Sequence, residues 1–408
     1  MKQLQTIPFF SLNRQTQALK TTILQSFSEL LDKQQFIGGA YITHIEKRLA
    51  EYLGVKHVIS CNSGTDALWM AVKALNTQPG DLVLTTPFSF IASSSELIPH
   101  GAQPVFIDCE KDSFNLDAQA LEQWLNTQTT SVNGKTIHSK TGAPVVGIIP
   151  VHLFGQCVDF APIQELAQRY NLWIIEDTAQ AIGSEYDNKK AGTMGDIGTF
   201  SFYPTKNLGA FGDAGCCVTN NTALAESLVR LRNHGRKSHY HYEGYGLNSR
   251  MDALQAIVID TKLNHIDTLN DQRRTLAERY QQRLGHLPYL TLPQEKYGKH
   301  TYHQYSVIIN SDYCGMTRDE VAVYLAERGI ETRVFYPQSL QEIAYLNENT
   351  LLANDCPQAL RATQSILALP IWPELTMQEI DYVCDALEQL VDTTQIIKQQ
   401  PAQRVTHG

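Results

Sequence analysis

The sequence predicts an α/β protein, in which a large domain with a mostly parallel seven-stranded sheet covered by helices precedes a smaller α+β domain. Seven short apolar runs lie between about residues 55 and 220: KHVISC, DLVLTTP, QPVFID, VVGIIPV, LWIIED, IGTFSF and AGCCVT. They alternate with helix-like stretches and are too continuously apolar for strands that expose one face to water. After about residue 265 the pattern changes to separate strands and helices, which favours a second unit.

Length and charge limit the classes of partner. The chain has 408 residues, 43% of them hydrophobic, which is enough to bury one large core and a smaller one. Its formal net charge is −9. Counterion release therefore cannot drive nucleic-acid binding over the general surface, and we expect no nucleic-acid partner. No apolar run approaches the ~18 residues of a membrane span, so we expect no membrane partner either.

The cysteines and histidines indicate neither a disulfide framework nor a metal centre. Eight cysteines are scattered along the chain without a C-x-x-C pair, which does not fit a disulfide scaffold or a four-thiolate zinc site. We therefore expect a reduced, cytoplasmic setting. His234, His239 and His241 lie close in sequence, but no carboxylates accompany them at helical spacing, so we expect no metal.

Periodicity sets the expected domain limits. The segment from Met251 to Leu284 has helical spacing, and we place the boundary inside it. Residues 1–264 are then an N-terminal segment and the large domain, 265–392 the small C-terminal domain, and 393–408, polar and rich in Gln, a disordered tail. The stretch 126–143 is polar and lacks periodicity, so we interpret it as a surface excursion.

The first chemical motif is SCNSGTDALWM, where a strand ends and a helix begins at about Gly64. Small residues there leave backbone N–H groups free to hold a phosphate at the positive end of the helix dipole. A plain N-cap is the alternative, and from this motif alone it is the more common one.

The second motif is LWIIEDTAQAIGS, in which Asp177 directly follows an apolar strand. Ligands of open α/β sheets bind beyond the carboxyl ends of strands, so this carboxylate can face a cofactor and pair with a protonated heterocyclic nitrogen. Gln180, three residues later, can lie on the same side. A capping role for Asp177 is equally compatible with the sequence.

The third motif, GDIGTFSFYPTKNLGAFGDAGCCVT, places Lys206 between a strand and a glycine-containing loop. A lysine that is partly desolvated there loses proton affinity and can form a Schiff base. An ordinary surface lysine is the alternative. The spacing G-x-x-G-x-x-G differs from the dinucleotide-binding pattern, so a nicotinamide site is poorly supported. Further along, Asn248, Ser249 and Arg250 precede a helix and form a candidate anion-contacting group.

Together these motifs resemble the sugar aminotransferase family named DegT/DnrJ/EryC1/StrS, a branch of the fold-type I pyridoxal-phosphate enzymes. SGTDAL, PVHLFGQ, IEDTAQAIGS, FSFYPTKNLGAFGDAG and GLNSRMDALQA occur in the family's order, over nearly the whole chain. The resemblance implies pyridoxal 5′-phosphate as cofactor. Lys206 would bind it covalently and move the substrate proton, with Asp177 at the pyridine nitrogen and Gln180 near the ring hydroxyl. The remaining implied cofactor contacts are Gly64, Thr65 and Ser201 at the phosphate, Phe88 stacked on the ring, and Asn248 from a second subunit.

The resemblance also implies an activity and an assembly. It implies transamination of a nucleotide-linked keto-sugar, on dTDP or UDP, with L-glutamate as amino donor, in amino-sugar and polysaccharide biosynthesis, by a homodimer with shared active sites. FYPTKNLGAFGDAG looks like the 3-amino branch, which implies a 3-keto-6-deoxyhexose or related hexose; a 4-aminotransferase is the alternative. FYPQSLQEI replaces the family's HYP-x-P-x-H-x-Q stretch, which shapes the substrate side. There we place Tyr336, with Arg250, as candidate substrate contacts.

Two other functions occur on this fold. Sugar dehydratases on the same fold carry histidine where Lys206 stands, so the lysine argues against that reaction. A non-catalytic regulator with the same fold would not need Lys206, Asp177, Gln180 and Ser201 together. The sequence therefore favours an enzyme.

Overall fold

A seven-stranded, mostly parallel sheet forms the centre of the large domain, which confirms the predicted fold class. The computed structural model describes residues 6–349 and 355–399. Its strands, in chain order, are β1 (His57–Cys61), β2 (Leu82–Thr85), β3 (Gln103–Phe106), β4 (Thr129–Val132), β5 (Lys135–His138), β6 (Val145–Ile149), β7 (Trp173–Asp177), β8 (Glu185–Tyr186), β9 (Lys189–Lys190), β10 (Ile197–Ser201), β11 (Gly215–Thr219), β12 (Arg236–Ser238), β13 (His241–Tyr242), β14 (Leu290–Thr291), β15 (Tyr305–Ile309) and β16 (Ile366–Leu369).

The order of the central sheet brings several chemical residues to one edge. The strands follow each other as β1-β11-β10-β7-β6-β2-β3, and only β11 runs antiparallel to its neighbours within this sheet. Gly215, at the start of β11, pairs with Cys61 on one side and with Ser201 on the other. Asp177 ends β7 on the next strand but one. The carboxyl ends of the parallel strands therefore meet where β11 begins.

Helices cover both faces of this sheet. In chain order the helices are α1 (Asn13–Lys33), α2 (Gly39–Leu53), α3 (Gly64–Ala74), α4 (Ala92–Ser95), α5 (Ala118–Gln128), α6 (Phe160–Tyr170), α7 (Thr222–Leu231), α8 (Ala253–Leu263), α9 (Ile266–Leu284), α10 (Ser311–Cys314), α11 (Arg318–Ala326), α12 (Ala344–Asn347), α13 (Pro357–Ser365) and α14 (Met377–Gln399). Apolar residues of α2 and α8 form one core with the sheet, and those of α3 and α7 form another. Among the described residues, no helix combines the length and the apolar character needed to span a bilayer.

The C-terminal part of the chain has its own core. Strands β14, β15 and β16 form an antiparallel sheet that packs with α9, α11 and α14. Ile7 is fully buried in this same core. Its N–H donates to the Gly329 carbonyl oxygen at 2.8 Å, and its carbonyl oxygen accepts from the Glu331 N–H at 3.0 Å. The N-terminal segment, which the sequence groups with the large domain, therefore contributes to the C-terminal core.

Three local features differ from the sequence-based expectations. The helical segment 251–284 is broken into α8 and α9, where Asn264 accepts a hydrogen bond from Arg48 at 2.9 Å. The polar stretch 126–143 contains the β4–β5 hairpin, turned by Asn133 and Gly134 at φ 51° and 76°. Helix α14 continues to Gln399, beyond the predicted start of the tail, and residues 400–408 lie outside the described part of the chain.

Candidate active site

Lys206 lies in a tight turn directly after β10. Its backbone N–H donates to the Tyr203 carbonyl oxygen at 2.8 Å. Burial lowers the pKa of the Lys206 amine to about 8, and the nearby charge of Asp177 opposes that shift. About a tenth of the amine is therefore neutral, and nucleophilic, at pH 7, whereas less than about a thousandth of an ordinary lysine is. The structure thus places this lysine in a partly buried site near a carboxylate, unlike an ordinary surface lysine.

Asp177 is held through both carboxylate oxygens. Its side chain is buried. Oδ2 accepts a hydrogen bond from Ser93 Oγ at 2.7 Å, and Oδ1 accepts one from the Ala179 N–H at 3.1 Å. The second bond is the local turn contact expected of a capping aspartate. A capping role therefore accounts for Oδ1 but not for Oδ2. The Ser93 contact comes from α4, 84 residues earlier in the chain, and fixes the carboxylate from outside its own loop.

Gln180 connects Asp177's loop to the candidate substrate residue Tyr336. Its Oε1 accepts from the Phe154 N–H at 2.8 Å, and its Nε2 donates to the Tyr336 hydroxyl at 2.9 Å. Burial raises the pKa of the Tyr336 phenol, so the group stays protonated. Because its oxygen already accepts from Gln180, its O–H remains able to donate to a ligand.

Helix α3 begins with a group of backbone donors beside the end of β10 and the start of β11. Ser63 caps the helix by accepting from the Asp66 N–H at 3.0 Å, whereas the N–H groups of Gly64 and Thr65 donate to no other described group. A Cβ added at Gly64 would lie 2.7 Å from the Ser201 Cβ. The predicted phosphate contacts Gly64, Thr65 and Ser201 are therefore adjacent, and only glycine fits at the centre.

Phe88 belongs to a buried aromatic cluster that includes Tyr336. Its ring is fully buried and packs edge-on against Tyr336, with ring centroids 6.0 Å apart and planes at 77°. The Phe114 ring also packs against the Phe88 ring, with ring centroids 5.6 Å apart. Phe88 thus shares one cluster with Tyr336, which the sequence placed on the substrate side. The predicted stacking of Phe88 on the cofactor does not fit the structure, because no face of its ring is exposed; the exposed aromatic ring of this segment is Phe90.

The third group of predicted contacts lies near the start of α3. Ser249 is buried and donates to Asp66 Oδ2 at 2.6 Å. Its neighbour Asn248 is exposed, and Arg250 donates to Asn233 Oδ1 at 2.6 Å. Asn248 can therefore contact another molecule. Arg250 is oriented by Asn233, and its guanidinium has further N–H donors that can bind a ligand.

Sequence reasoning missed a buried His–Glu pair beneath the site. His152 Nε2 and Glu176 Oε2 are 2.9 Å apart, and both side chains are fully buried. His152 Nδ1 accepts from the Val158 N–H, so Nε2 carries the proton that Glu176 accepts. Glu176 also accepts from the backbone N–H groups of three loop residues, Gly192, Met194 and Gly195. The Glu176 carboxylate, next to Asp177 in the sequence, therefore anchors the surrounding loops. The sequence does not reveal this role, because nothing in the Glu-Asp pair at the end of the strand indicates which of the two acids binds the loops.

A buried lysine supports the loop after Lys206. Lys262 donates to the Gly209 carbonyl oxygen at 2.7 Å and lies over the Phe211 ring at 4.8 Å. Burial lowers its pKa to about 8. A Cβ at Gly209 would lie 2.3 Å from the Pro204 carbonyl oxygen. Crowding against its own turn therefore explains the glycine at that position.

These features fit pyridoxal phosphate. The cofactor needs an amine for its aldehyde, a carboxylate for its pyridinium nitrogen and donors for its phosphate. Lys206 lies close enough to Asp177 for the carboxylate charge to act on its amine. Among the described residues, no hydrogen bond is found for the N–H groups of Gly64 and Thr65. On a mostly parallel sheet, this arrangement defines the fold-type I pyridoxal-phosphate enzymes.

Comparison with known proteins identifies the family. The family model described as the DegT/DnrJ/EryC1/StrS aminotransferase family matches residues 17–388. The chain belongs to this family, and it is a pyridoxal-phosphate-dependent aminotransferase.

Similar proteins cover almost the whole chain. The pleiotropic regulatory protein of Geobacillus stearothermophilus is 36% identical over 388 residues, which are 94% of this chain and 98% of that protein. The UDP-N-acetyl-3-dehydro-alpha-D-glucosamine 3-aminotransferase of Acidithiobacillus ferrooxidans is 35% identical over 391 residues, 95% of this chain and 99% of that one. The solved structure of NtdA from Bacillus subtilis with bound cofactor PMP superposes with a TM-score of 0.84 at 28% identity, and covers 96% of this chain and 86% of that chain.

Proposed function

We propose that the enzyme transfers the amino group of L-glutamate to carbon 3 of a keto-hexose linked to UDP or dTDP, in amino-sugar and polysaccharide biosynthesis. The observation that carries this proposal is the proximity of Lys206, whose amine has a pKa of about 8, to the carboxylate of Asp177, which accepts hydrogen bonds at both oxygens. The choice of carbon 3 is supported by the 35% identity to a relative whose name specifies a 3-aminotransferase.

Each residue contributes one part of the reaction. Pyridoxal phosphate supplies an aldehyde that takes up the amine and a ring that stores an electron pair. Lys206 is the amine that captures the cofactor and then carries the proton at the α-carbon of glutamate. Asp177 keeps the pyridine nitrogen protonated, because its negative charge favours the charged form of that nitrogen.

We assign the phosphate to the amides of Gly64 and Thr65 with the Ser201 hydroxyl. The support is the crowding of Gly64 against Ser201 and the two amides without another described acceptor. A dianionic phosphate at a helix N-terminus gains from both the free N–H groups and the dipole.

On the substrate side we place Tyr336 and Arg250. The Tyr336 hydroxyl accepts from Gln180 and keeps its own proton to donate, which suits a sugar oxygen. Arg250 uses one donor on Asn233 and has others for a pyrophosphate or sugar oxygen.

We further propose a homodimer in which each site takes Asn248 from the partner subunit. Several large apolar side chains are exposed around α1 and the start of α8. They are Leu24, Leu31, Phe36, Ile37 and Leu254. A patch of exposed apolar side chains is typical of a protein–protein interface. Asn248 is exposed as well, and its neighbour Ser249 binds the first turn of α3 through Asp66.

A cytoplasmic location is part of the proposal. All eight cysteines are buried and none forms a disulfide, as suits a reducing compartment.

The test is to incubate purified enzyme with pyridoxal phosphate, glutamate and a panel of UDP- and dTDP-linked 3-keto and 4-keto hexoses. Mass spectrometry detects amination and NMR locates the nitrogen. We expect amination at carbon 3, and product with nitrogen on carbon 4 would overturn that choice. A protein that acts only as a regulator would show no cofactor absorbance and no amination. Borohydride reduction, followed by peptide mass spectrometry, should attach the cofactor to Lys206.

A further inference from the structure

A segment of the C-terminal part of the chain runs directly against the Lys206 site. The Thr301 N–H donates to the Gly155 carbonyl oxygen at 2.9 Å, and a Cβ at Gly155 would lie 2.9 Å from the backbone nitrogen of His303. Phe154, the residue before Gly155, holds Gln180. Residues 301–303 therefore pack tightly on the turn that supports the Gln180 side of the site.

The same segment is tied to Lys206 through Asn207. Asn207, which follows Lys206, is buried, and its Nδ2 donates to Asn270 Oδ1 at 2.8 Å and to the Thr301 carbonyl oxygen at 3.2 Å. Since a backbone carbonyl oxygen can only accept, the amide nitrogen of Asn207 must lie on that side. Its Oδ1 then faces His303 Nδ1, at 3.1 Å.

This contact fixes the form of His303. An amide oxygen accepts only, so Nδ1 of the imidazole carries the proton and Nε2 the lone pair. Burial, together with the charges of Lys206 and Arg273, holds the pKa of His303 well below its usual range. The ring is therefore neutral at physiological pH and adds no positive charge beside the lysine.

We infer that His303 is a positioning residue for Lys206: by donating Nδ1–H to the Asn207 amide, it fixes the turn that carries the lysine and keeps water from its amine. Without that donor, Asn207 Oδ1 would be a buried acceptor with no partner, and the turn would have to move or admit water. Either change rehydrates the Lys206 amine. The inference rests on the cofactor role proposed for Lys206.

Three substitutions separate the two ring nitrogens. His303→Asn keeps an amide donor where Nδ1 stands, His303→Gln places its amide where Nε2 stands and leaves Asn207 without a donor, and His303→Phe removes both. Ser184→Ala is the matched control, because it removes hydrogen bonds to Thr301 and Gly155 and leaves the His303–Asn207 contact intact. Thermal unfolding of each full-length variant checks that it is folded.

The main readout is the reactivity of Lys206 in the cofactor-free, full-length protein. The rate of acetylation is followed against pH by peptide mass spectrometry, with the exposed Lys47 as internal reference. A rise of about one unit in the pKa of Lys206 would lower its neutral fraction at pH 8 on the order of fivefold. We expect that decrease for His303→Gln and His303→Phe, and wild-type rates for His303→Asn and Ser184→Ala. In the holoenzyme, the pH at which the cofactor's visible band changes should shift in the same two variants.

A double-mutant cycle tests the route through Asn207. In an Asn207→Leu background, His303→Gln should change Lys206 reactivity no further, because the bond is already lost. Equal reactivity in all folded variants, or equal loss in His303→Asn and His303→Gln, would overturn the inference. Failure of the proposed function can be told apart from failure of this inference. If borohydride marked a different lysine, the proposed role of Lys206 would be wrong. Acetylation needs no cofactor, so it would still show whether His303 controls the reactivity of Lys206.

Discussion

Ser93 donates a hydrogen bond from its Oγ to Oδ2 of Asp177 across 2.7 Å, and the Oγ atoms of Ser89 and Ser93 are 2.8 Å apart. All three side chains are buried. A chain of hydroxyls therefore orients the carboxylate from the opposite side to its own loop, and the carboxylate cannot turn without breaking a buried bond.

Ser93→Ala should lower the rate of the glutamate half-reaction. The substitution removes a hydrogen bond to a charged group, and a loss of about 1.5 kcal/mol in the transition state corresponds to roughly tenfold in rate. Stopped-flow absorbance with saturating glutamate measures it. Ser94→Ala is the control, because Ser94 donates only to the Ile91 carbonyl oxygen within the same short helix. An unchanged rate in Ser93→Ala would mean that Ala179 alone orients the carboxylate.

Cofactor capture should speed up as the pH rises through about 8. The pKa of the Lys206 amine is lowered from 10.5 to about 8, and only the neutral amine attacks. The neutral fraction is about one tenth at one pH unit below that pKa and about nine tenths at one unit above. Mixing cofactor-free protein with pyridoxal phosphate between pH 6 and about 10 measures the rate of colour formation. Lys206→Ala should lose this component, and a midpoint near 10.5 would show that the amine is not desolvated.

Gly64→Ala should weaken cofactor binding. The added Cβ would lie 2.7 Å from the Ser201 Cβ, so α3 or the end of β10 must move, and the amides of the first turn move with it. We expect a loss of at least about tenfold in affinity, equivalent to roughly 1.4 kcal/mol, by fluorescence titration. Gly244→Ala is a suitable control, since its Cβ would meet nothing within 4 Å. Equal affinity of both variants would remove the phosphate from this position.

Glu176→Gln should destabilise the fold. The carboxylate accepts from His152 and from three backbone N–H groups, and a Gln side chain would turn a donor toward some of them. Losing a hydrogen bond to a buried charged group costs about 1.5–3 kcal/mol, which thermal or urea unfolding would detect. Glu122→Gln breaks only an exposed pair with Arg169 and should change stability by less than about 1 kcal/mol. Similar unfolding curves for the two variants would contradict an anchoring role.

Mixing two inactive variants tests the shared site. Lys206→Ala lacks the amine, and Asn248→Asp sets a carboxylate against the cofactor phosphate. Random pairing after subunit exchange makes about half of the dimers hybrids. One site of each hybrid then has Lys206 from one subunit and Asn248 from the other, so about a quarter of all sites should be intact. If native mass spectrometry shows exchange and activity stays absent, Asn248 acts within its own subunit or away from the phosphate.

The fold was predictable because the strands of the central sheet are continuously apolar and several are directly followed by polar or ionisable residues. All seven predicted runs are strands of the central sheet. The hairpin β4–β5 was missed although Asn133 and Gly134 are the residues that a tight hairpin turn prefers; the flanking residues are too polar to reveal strands. The break between α8 and α9 was missed because Asn264 and His265 only weakly disfavour helix.

The site was predictable where the sequence context of a residue points to one kind of chemistry, as it does for Lys206 between an apolar strand and a glycine-containing loop. Its supporting contacts were not, because they join distant parts of the chain. Ser93 lies 84 residues from Asp177, and His303 lies 96 residues from Asn207. Serine and histidine at such positions have no local pattern, and only the packing of the strands brings them to their partners.

The burial of Ile7 in the C-terminal core constrains how the polypeptide can fold during synthesis. Its backbone partners are Gly329 and Glu331, and the core around it includes Leu387 and Leu390 of the last helix. At translation rates of about 5–20 residues per second, the N-terminal segment waits on the order of tens of seconds for these partners to leave the ribosome. The central sheet can be complete long before then. The nascent chain therefore carries an unpaired apolar segment around Ile7, which a chaperone could bind until the second core closes.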